Sequence, residues 1–179
     1  MLAPEYTFKL CIYGDGGVGK TTLTNRYMTG LYDPNTMITL GANIFVKYIK
    51  VDKSKISLQI WDFGGEDQYK HLLPSYSMGS NGAIFMFDTS RKTTLYHMPD
   101  WLNTFRCALP SNQREIPIIM VGGKVDLTEE SSVNYEEAKD YKDRYGITEY
   151  IECSSKTGKN VKLIFETLTR YMLKNIDAK

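Results

Sequence analysis

The sequence predicts an α/β fold in which helices cover both faces of a six-stranded, mostly parallel sheet. Apolar runs of strand length alternate along the chain with segments of helical period, an order typical of parallel sheets. A glycine-rich turn joins the first apolar run to the first helical segment. Neither repeats nor low-complexity segments interrupt the 179 residues, so one pattern describes the whole chain.

The predicted strands are short and mostly apolar. Segments 44–51 and 56–61 are separated by four polar residues, which predicts a hairpin and therefore one antiparallel pair. Helical segments separate the other strands, so those strands are expected to run parallel. The six predicted strands are 8–13, 44–51, 56–61, 83–87, 118–121 and 150–153.

The predicted helices follow from spacing and from flanking residues. Segment 21–29 follows the glycine-rich turn, 101–108 follows Pro99, and 135–145 precedes the last strand. Proline is tolerated in the first turn of a helix. The closing helix has apolar residues at helical spacing: Val161, Ile164, Phe165, Leu168 and Met172.

Length and composition predict a single domain over residues 1–179. The chain is 42% hydrophobic and has a formal net charge of +1, so bulk charge gives no reason to expect nucleic acid or an anionic membrane as a partner. Cys11, Cys107 and Cys153 lie far apart, which favours reduced thiols. We expect a cytoplasmic monomer with no membrane anchor in this chain, held near membranes only through partners.

Residues 14–21 carry the strongest motif. They read Gly-Asp-Gly-Gly-Val-Gly-Lys-Thr, a full match to G-x-x-x-x-G-K-[ST] between a strand and a helix. The glycines let backbone N–H groups approach phosphate oxygens. Lys20 would place a positive charge against the β- and γ-phosphates, and the Thr21 hydroxyl is a hard oxygen ligand for Mg²⁺. This pattern predicts a P-loop NTPase fold with a nucleotide phosphate site.

Three later strands are also followed by polar residues, where ligands bind in such sheets. Segments 61–66, 122–126 and 153–156 follow the third, fifth and sixth strands. A carboxylate at Asp126 can accept two hydrogen bonds from guanine N1–H and its exocyclic amine, whereas adenine offers no such donor pair. The alternative is a turn or helix cap before Leu127 and Thr128.

With these motifs in order, the chain resembles the Ras superfamily of small GTPases, and especially Rab-like members through Trp61-Asp62 and 39–41. The resemblance implies a guanine-nucleotide switch that binds GTP or GDP with Mg²⁺. Thr21, Thr39 and, through a water, Asp62 would hold the metal. The implied catalytic residues are Lys20, Thr39, Gly65 and Glu66. The implied nucleotide-binding residues are Gly14, Asp15, Gly16, Gly17, Val18, Gly19, Lys20, Thr21, Thr22, Tyr32, Thr39, Gly65, Lys124, Asp126, Ser154, Ser155 and Lys156.

Two threonines compete for the role of closing on the metal and the γ-phosphate. Thr36 lies in a segment that mimics the family's switch sequence, and its hydroxyl could in principle reach the metal. Thr39 lies 19 residues after Lys20 and is followed by Gly41, as in Rab-like members. This spacing favours Thr39.

The first departure from the family pattern is Glu66, which stands where the family usually has a glutamine that orients the attacking water. A carboxylate accepts a hydrogen bond but cannot donate one, and its charge would lie beside the γ-phosphate. Gln68 is a substitute only if the loop shifts register, and its other interpretation is an exposed helical residue. We expect slow hydrolysis.

The second departure is Gly123, which stands at the asparagine of the family's Asn-Lys-x-Asp motif. Losing one or two hydrogen bonds of about 0.5–1.5 kcal/mol each predicts weaker binding and faster nucleotide exchange. A degenerate, non-hydrolysing GTPase-like binding module is therefore the alternative function. A P-loop kinase or ATPase is a weaker third possibility, because the Asp126 carboxylate disfavours adenine.

Partners follow from the same resemblance. It implies effectors, an exchange factor and a GTPase-activating protein, with switch surfaces around residues 34–45 and 64–79. No arginine is evident in the phosphate loop, so a partner would contribute one. His71 and His97 are expected to be surface or packing residues without chemistry, since no cysteine or acidic cluster surrounds either.

Overall fold

A computed structural model describes residues 3–111, 115–127 and 132–177. Thr128, part of the alternative cap after Asp126, lies outside these residues. A 3₁₀ turn, Asp67–Leu72, precedes the second helix. The strands are β1 Tyr6–Tyr13, β2 Ala42–Val51, β3 Ser54–Phe63, β4 Gly82–Asp88, β5 Ile118–Gly123 and β6 Glu149–Glu152; the helices are α1 Lys20–Thr29, α2 Leu73–Ser77, α3 Lys92–Tyr96, α4 Met98–Ala108, α5 Tyr135–Arg144 and α6 Val161–Asp177.

The strands form one sheet in the order β2-β3-β1-β4-β5-β6. Only β2 is antiparallel: it pairs with β3 from Ala42 opposite Phe63 to Val51 opposite Ser54. The other neighbouring strands run parallel. The predicted six-stranded, mostly parallel α/β fold is confirmed, including the hairpin.

Helices cover both faces of the sheet and bury a core on each. On one face α1 and α6 pack together, and the rings of Tyr27 and Phe165 stack with centroids 3.8 Å apart. On the other face α4 buries Trp101 and Phe105 against the ring of Tyr13. Both cores hold the carboxyl ends of the parallel strands at one edge, where the phosphate loop begins.

Several boundaries differ from the predicted ones. The helix expected around Gln68 begins only at Leu73, after the 3₁₀ turn. The short helix α3 was not predicted, because a five-residue helix shows too few turns for a period to emerge. The predicted helix 101–108 begins earlier, at Met98, with Pro99 in its first turn. β3 continues through Asp62 to Phe63, so that acid lies within the strand. Among the described residues, no helix is both long and apolar enough to span a membrane.

Candidate functional site

The phosphate loop connects β1 to α1 and depends on glycine for its path. Gly14, Gly17 and Gly19 have φ values of 136°, 72° and 103°, in the region that side-chain-bearing residues rarely adopt. A Cβ at Gly14 would also collide with the backbone carbonyl of Met86. The motif therefore forms a tight loop against β4 that turns directly into the first residue of α1, Lys20.

Lys20 is enclosed by this loop and is only 5% exposed. Its Nζ donates to the carbonyls of Gly14 and Asp15, both at 2.7 Å. Burial lowers the pKa of Lys20 to about 8, although the nearby carboxylates of Asp62, Asp15 and Glu66 oppose that shift. The ammonium is thus held by neutral acceptors that anionic oxygens could replace with stronger hydrogen bonds.

Three oxygen-bearing side chains meet beside Lys20. The Thr21 hydroxyl lies 2.6 Å from the Thr39 hydroxyl and donates to Asp62 Oδ2, also at 2.6 Å. Asp62 is fully buried, and its Oδ1 has no hydrogen-bond partner among the described residues. Burial raises the pKa of Asp62 to about 6, opposed by the Thr21 hydrogen bond and the Lys20 charge. An orphaned carboxylate oxygen beside two hydroxyls fits a hard cation such as Mg²⁺.

The structure separates the two candidate threonines. Thr39 is buried at the cluster, whereas the Thr36 hydroxyl donates to the carbonyl of Asp33 at 2.9 Å, within its own loop. Thr39 is therefore the threonine that the fold brings to Thr21.

The loop after β3 closes against the phosphate loop. A Cβ at Gly65 would collide with the backbone of Asp15 and Gly16, and a Cβ at Gly16 would collide with the Glu66 carboxylate. These two glycines therefore allow the segments to touch. Between the loop after β3 and the phosphate loop lies a cleft of about 210 Å³. Its lining includes Gly16, Gly17, Gly19, Lys20, Thr21, Thr22, Thr39, Gly65, Glu66 and Lys124.

A second cleft of about 270 Å³ continues from the first past Lys124, which lines both. Asp126 stands in it with Oδ1 accepting a 2.6 Å hydrogen bond from the buried Ser154 hydroxyl. This bond fixes the carboxylate. The cleft is lined by Val18, Gly19, Thr22, Tyr32, Met86, Lys124, Asp126, Leu127, Ser155 and Lys156.

Met86 occupies the space beside Gly123. A Cβ at Gly123 would lie 2.5 Å from Met86 Cε and 3.3 Å from the Val18 carbonyl. An asparagine side chain there would begin beside the Val18 carbonyl of the phosphate loop, and the methionine methyl, the end of a flexible side chain, would have to move aside. The sequence shows that the asparagine amide is missing at position 123, but it does not show that Met86 fills the space.

A buried carboxylate takes part in the site without having been predicted. Asp88 is 1% exposed, and its Oδ2 accepts from Lys124 Nζ at 2.7 Å and from Arg91 Nε at 3.1 Å. These cations donate onward to the phosphate loop: Lys124 to the Gly17 carbonyl at 2.8 Å and Arg91 to the Gly16 carbonyl at 3.0 Å. Burial alone would raise the pKa of Asp88, but hydrogen bonds, the first from Lys124, hold it below its ordinary value.

A signal for this carboxylate was present in the sequence. Asp88 ends β4, and the segment after the fourth strand belongs to the same sheet edge as the three that were singled out. Extending that rule to residues 88–91 would have found both Asp88 and Arg91.

The Asp15 side chain differs from its implied role as a nucleotide contact, and His97 packs against it. The Asp15 carboxylate bonds to His97 Nδ1 at 2.6 Å and accepts from Trp101 Nε1 at 2.7 Å. Asp15 can therefore serve a nucleotide only through its backbone, since its side chain anchors the loop to α4. His97, expected to have no chemistry, is part of that anchor. Gln68 lies exposed in the 3₁₀ turn.

Comparison with known proteins supports the same family. The profile of the Ras family matches residues 9–174. The chain belongs to the Ras family. It is 28% identical over 169 residues to Ras-related protein Rab-19 of Homo sapiens, covering 94% of this chain and 76% of that protein. It is 32% identical over 167 residues to Ras-related protein Rab-1 of Theileria parva, covering 93% and 74%. Ras-family proteins are GTP-binding small GTPases, so this is the general class of the chain.

Proposed function

We propose that this chain is a single G domain over residues 1–179 that binds GTP and GDP with Mg²⁺ and hydrolyses GTP slowly. One observation carries the proposal: Lys124 joins a phosphate cleft, with Lys20 and the Thr21–Thr39–Asp62 cluster, to a base cleft containing Asp126. The two clefts share Gly19, Thr22 and Lys124; the first is lined by a cation and hydroxyl groups, and the second contains a carboxylate. A guanine nucleotide has the complementary chemistry.

Different residues would bind the phosphates, the base and the metal. Lys20 would exchange its two carbonyl partners for oxygens of the β- and γ-phosphates, and Asp126 would accept from the guanine edge while Ser154 holds it. Thr21, Thr39 and Asp62 would hold Mg²⁺, directly or through water, which when bound neutralises phosphate charge. The remaining predicted contacts, from Tyr32 to the base and from Gly65 N–H to the γ-phosphate, are part of the same proposal.

Glu66 makes hydrolysis slow in this proposal. Its exposed carboxylate lies against Gly16 at the phosphate loop. There it can accept a hydrogen bond from an attacking water but cannot also donate one to the phosphate, and it adds negative charge beside a γ-phosphate that is already negatively charged.

Switching would follow from Thr39. This residue is buried at the cluster while its neighbours Met37, Ile38 and Leu40 are exposed, so contact with a γ-phosphate would order an apolar surface that loosens after hydrolysis. Residues 34–45 and 64–79 would then meet effectors, an exchange factor and a GTPase-activating protein. We propose a cytoplasmic monomer that reaches membranes through such partners, without nucleic acid.

The first experiment measures which nucleotide the protein retains. Protein purified with Mg²⁺ is denatured, and released nucleotide is separated by ion-pair chromatography. We expect GDP with some GTP and no adenine nucleotide. The Asp126→Ala variant should lose guanine affinity by about 100-fold through loss of two charge-assisted hydrogen bonds. The exposed Asp140→Ala variant on α5 is the matched control. ATP binding equal to GTP binding in the unmodified protein would contradict the proposal.

The degenerate, non-hydrolysing module is the second candidate function, and Glu66 is the observation that favours it. Single-turnover phosphate release from GTP-loaded protein separates the two. We expect measurable release, which Glu66→Gln increases about tenfold by removing the charge and restoring an amide donor. Release absent from both proteins, with GTP still bound, would favour the degenerate module.

A further inference from the structure

Arg91 lies against the phosphate loop although it belongs to the segment that follows β4. Its guanidinium Nη2 donates to the Gly16 carbonyl at 3.0 Å and lies 3.5 Å from the position of a Cβ on Gly17. The positive charge also lowers the pKa of Lys20, one of several contributions that follow burial. The chain therefore holds an arginine of its own beside the residues proposed to bind phosphate.

Arg91 and Glu66 meet at the same residue. The Glu66 carboxylate packs against Cα of Gly16 while Arg91 bonds to the carbonyl of Gly16. Both side chains line a third cleft, of about 340 Å³, which opens over Gly16 and Gly65 on the outer side of the phosphate loop. This cleft adjoins the phosphate cleft through Gly16, Gly65 and Glu66, which line both, whereas Arg91 lines only the third cleft. The other charged or titratable residues that line the third cleft are Asp15, Asp67, Lys70, His97 and Asp100.

The guanidinium is fixed at one edge and available at the other. Nε donates to the buried carboxylate of Asp88 at 3.1 Å, which sets the direction of the side chain. Nη2 has only a neutral carbonyl as its partner, Nη1 has no hydrogen-bond partner among the described residues, and the side chain is 46% exposed. Replacing a carbonyl by a phosphate oxygen gives a charge-assisted bond of about twice the strength.

We infer that Arg91 is a resident arginine for GTP hydrolysis and that Asp88 is the residue that positions it. This inference rests on the proposed GTPase function. With GTP bound, the guanidinium leaves the Gly16 carbonyl for the γ-phosphate side of the loop. There it offsets the charge of Glu66 and the charge that develops in the transition state. Water adds to the γ-phosphorus, its bond to the β,γ-bridging oxygen breaks, and GDP, phosphate and one proton are released; Arg91 forms no covalent bond.

This inference differs from one sequence expectation. The absence of an arginine within residues 14–21 suggested that a partner must supply one, but the arginine comes from the segment after β4. An arginine delivered to a phosphoryl-transfer site contributes about 10³–10⁵ in rate in well-oriented cases. A half-exposed arginine opposed by Glu66 should contribute less, about 10–100-fold.

The first test is single-turnover hydrolysis by the full chain loaded with Mg²⁺ and GTP. Arg91→Ala should slow hydrolysis of the bound GTP about 10–100-fold, whereas loss of its bond to the Gly16 carbonyl should, if anything, speed GDP release. Arg91→Lys should fall between, because an ammonium keeps the charge and loses the planar fork. The control is Lys92→Ala, the neighbouring cation that pairs with Glu137 on α5, which should hydrolyse GTP normally. Melting temperatures with GDP identify any variant that is merely unfolded.

The second test uses aluminium fluoride with a fluorescent GDP analogue and no activating protein. The unmodified protein and Lys92→Ala should bind this transition-state mimic unaided, and Arg91→Ala should not. A purely structural role for Arg91 would not remove fluoride-dependent binding from a variant that still binds GDP. Hydrolysis by Arg91→Ala at the unmodified rate would overturn the inference alone, whereas failure of the unmodified protein to bind any guanine nucleotide would overturn the proposed function as well.

Discussion

The phosphate end and the base end of the cleft are built in different ways. At the phosphate end, residues of the motifs contact one another directly: Thr21 bonds to both Thr39 and Asp62. At the base end, Gly123 contributes no side chain, and Lys124 is held instead by Asp88 behind it. The first end is specified by residues facing the ligand, and the second depends on a buried layer beneath them.

This difference matters because buried residues can brace the phosphate loop when a ligand-facing side chain is missing. In the family pattern an asparagine at position 123 braces the phosphate loop; here Asp88 reaches that loop through two cations that bond to Gly16 and Gly17. The loop is therefore braced from the base side although the amide is gone. What the base end lacks is the asparagine amide towards the base, whereas the Asp126 carboxylate is still present there.

The largest expected effect lies at the phosphate end. Lys20→Ala removes the only cation that the loop encloses among the described residues, and it should weaken GTP and GDP binding by at least 100-fold, about 3 kcal/mol. Calorimetric titration with each nucleotide measures the loss. Lys139→Ala, an exposed lysine on α5, should bind as the unmodified protein does. A loss under tenfold would contradict the view that this end is held by direct contacts.

At the base end we expect a smaller effect of opposite sign, namely slower nucleotide release. Gly123→Asn alone must displace the Met86 methyl, which is the end of a flexible side chain, so it should gain part of the effect. Gly123→Asn combined with Met86→Val makes room for the amide and should slow GDP release about tenfold, the value of one or two hydrogen bonds. Stopped-flow release of a fluorescent GDP analogue measures the rate, with Met86→Val alone as the control. A double variant that releases GDP no more slowly would show that the base end needs no amide.

The smallest expected effect is the pH dependence of GDP release, which arises from Asp62 in the Thr21–Thr39–Asp62 cluster. Burial raises the pKa of Asp62 to about 6, so its carboxyl takes up a proton as the pH falls through that value. A protonated carboxyl is a poor ligand, so GDP release at limiting Mg²⁺ should accelerate several-fold between about pH 7.5 and pH 5.5. Without metal the sign is opposite: folding stability contributed by Asp62 is greatest at low pH and is lost as the pH rises towards 6.

Asp62→Asn provides the matched comparison for this pH effect. An amide does not titrate, so release from this variant should be fast and nearly independent of pH. A pH response of the same size in the variant would assign the effect to another group.

The sequence predicted most of the phosphate end because its information is local. Gly14 to Thr21 form one contiguous motif, and Asp62 follows from the end of a recognisable strand. The parallel sheet then brings these residues together without further specification. Thr39 was chosen over Thr36 by spacing, and burial at the cluster distinguishes the same residue.

The buried layer of the base end could not be predicted from local sequence. Its bonds join residues 75 and 107 positions apart, Arg91 to Gly16 and Lys124 to Gly17. Whether Met86 fills the space at Gly123 depends on a flexible side chain whose direction is set by packing rather than by pattern. Helix α3 was missed for a related reason, since tertiary contacts stabilise helices too short to form from propensity alone.

The hydrogen bond from Trp101 to Asp15 has an optical consequence. The indole of Trp101 donates directly to a residue of the phosphate loop, and the Lys70 ammonium of the segment after β3 stands 4.7 Å from its ring. Indole emission responds to hydrogen bonding and to nearby charge, so the protein carries a native fluorophore where the phosphate loop meets the segment after β3. Nucleotide exchange and hydrolysis could thus be followed on the unlabelled chain by its own ultraviolet fluorescence.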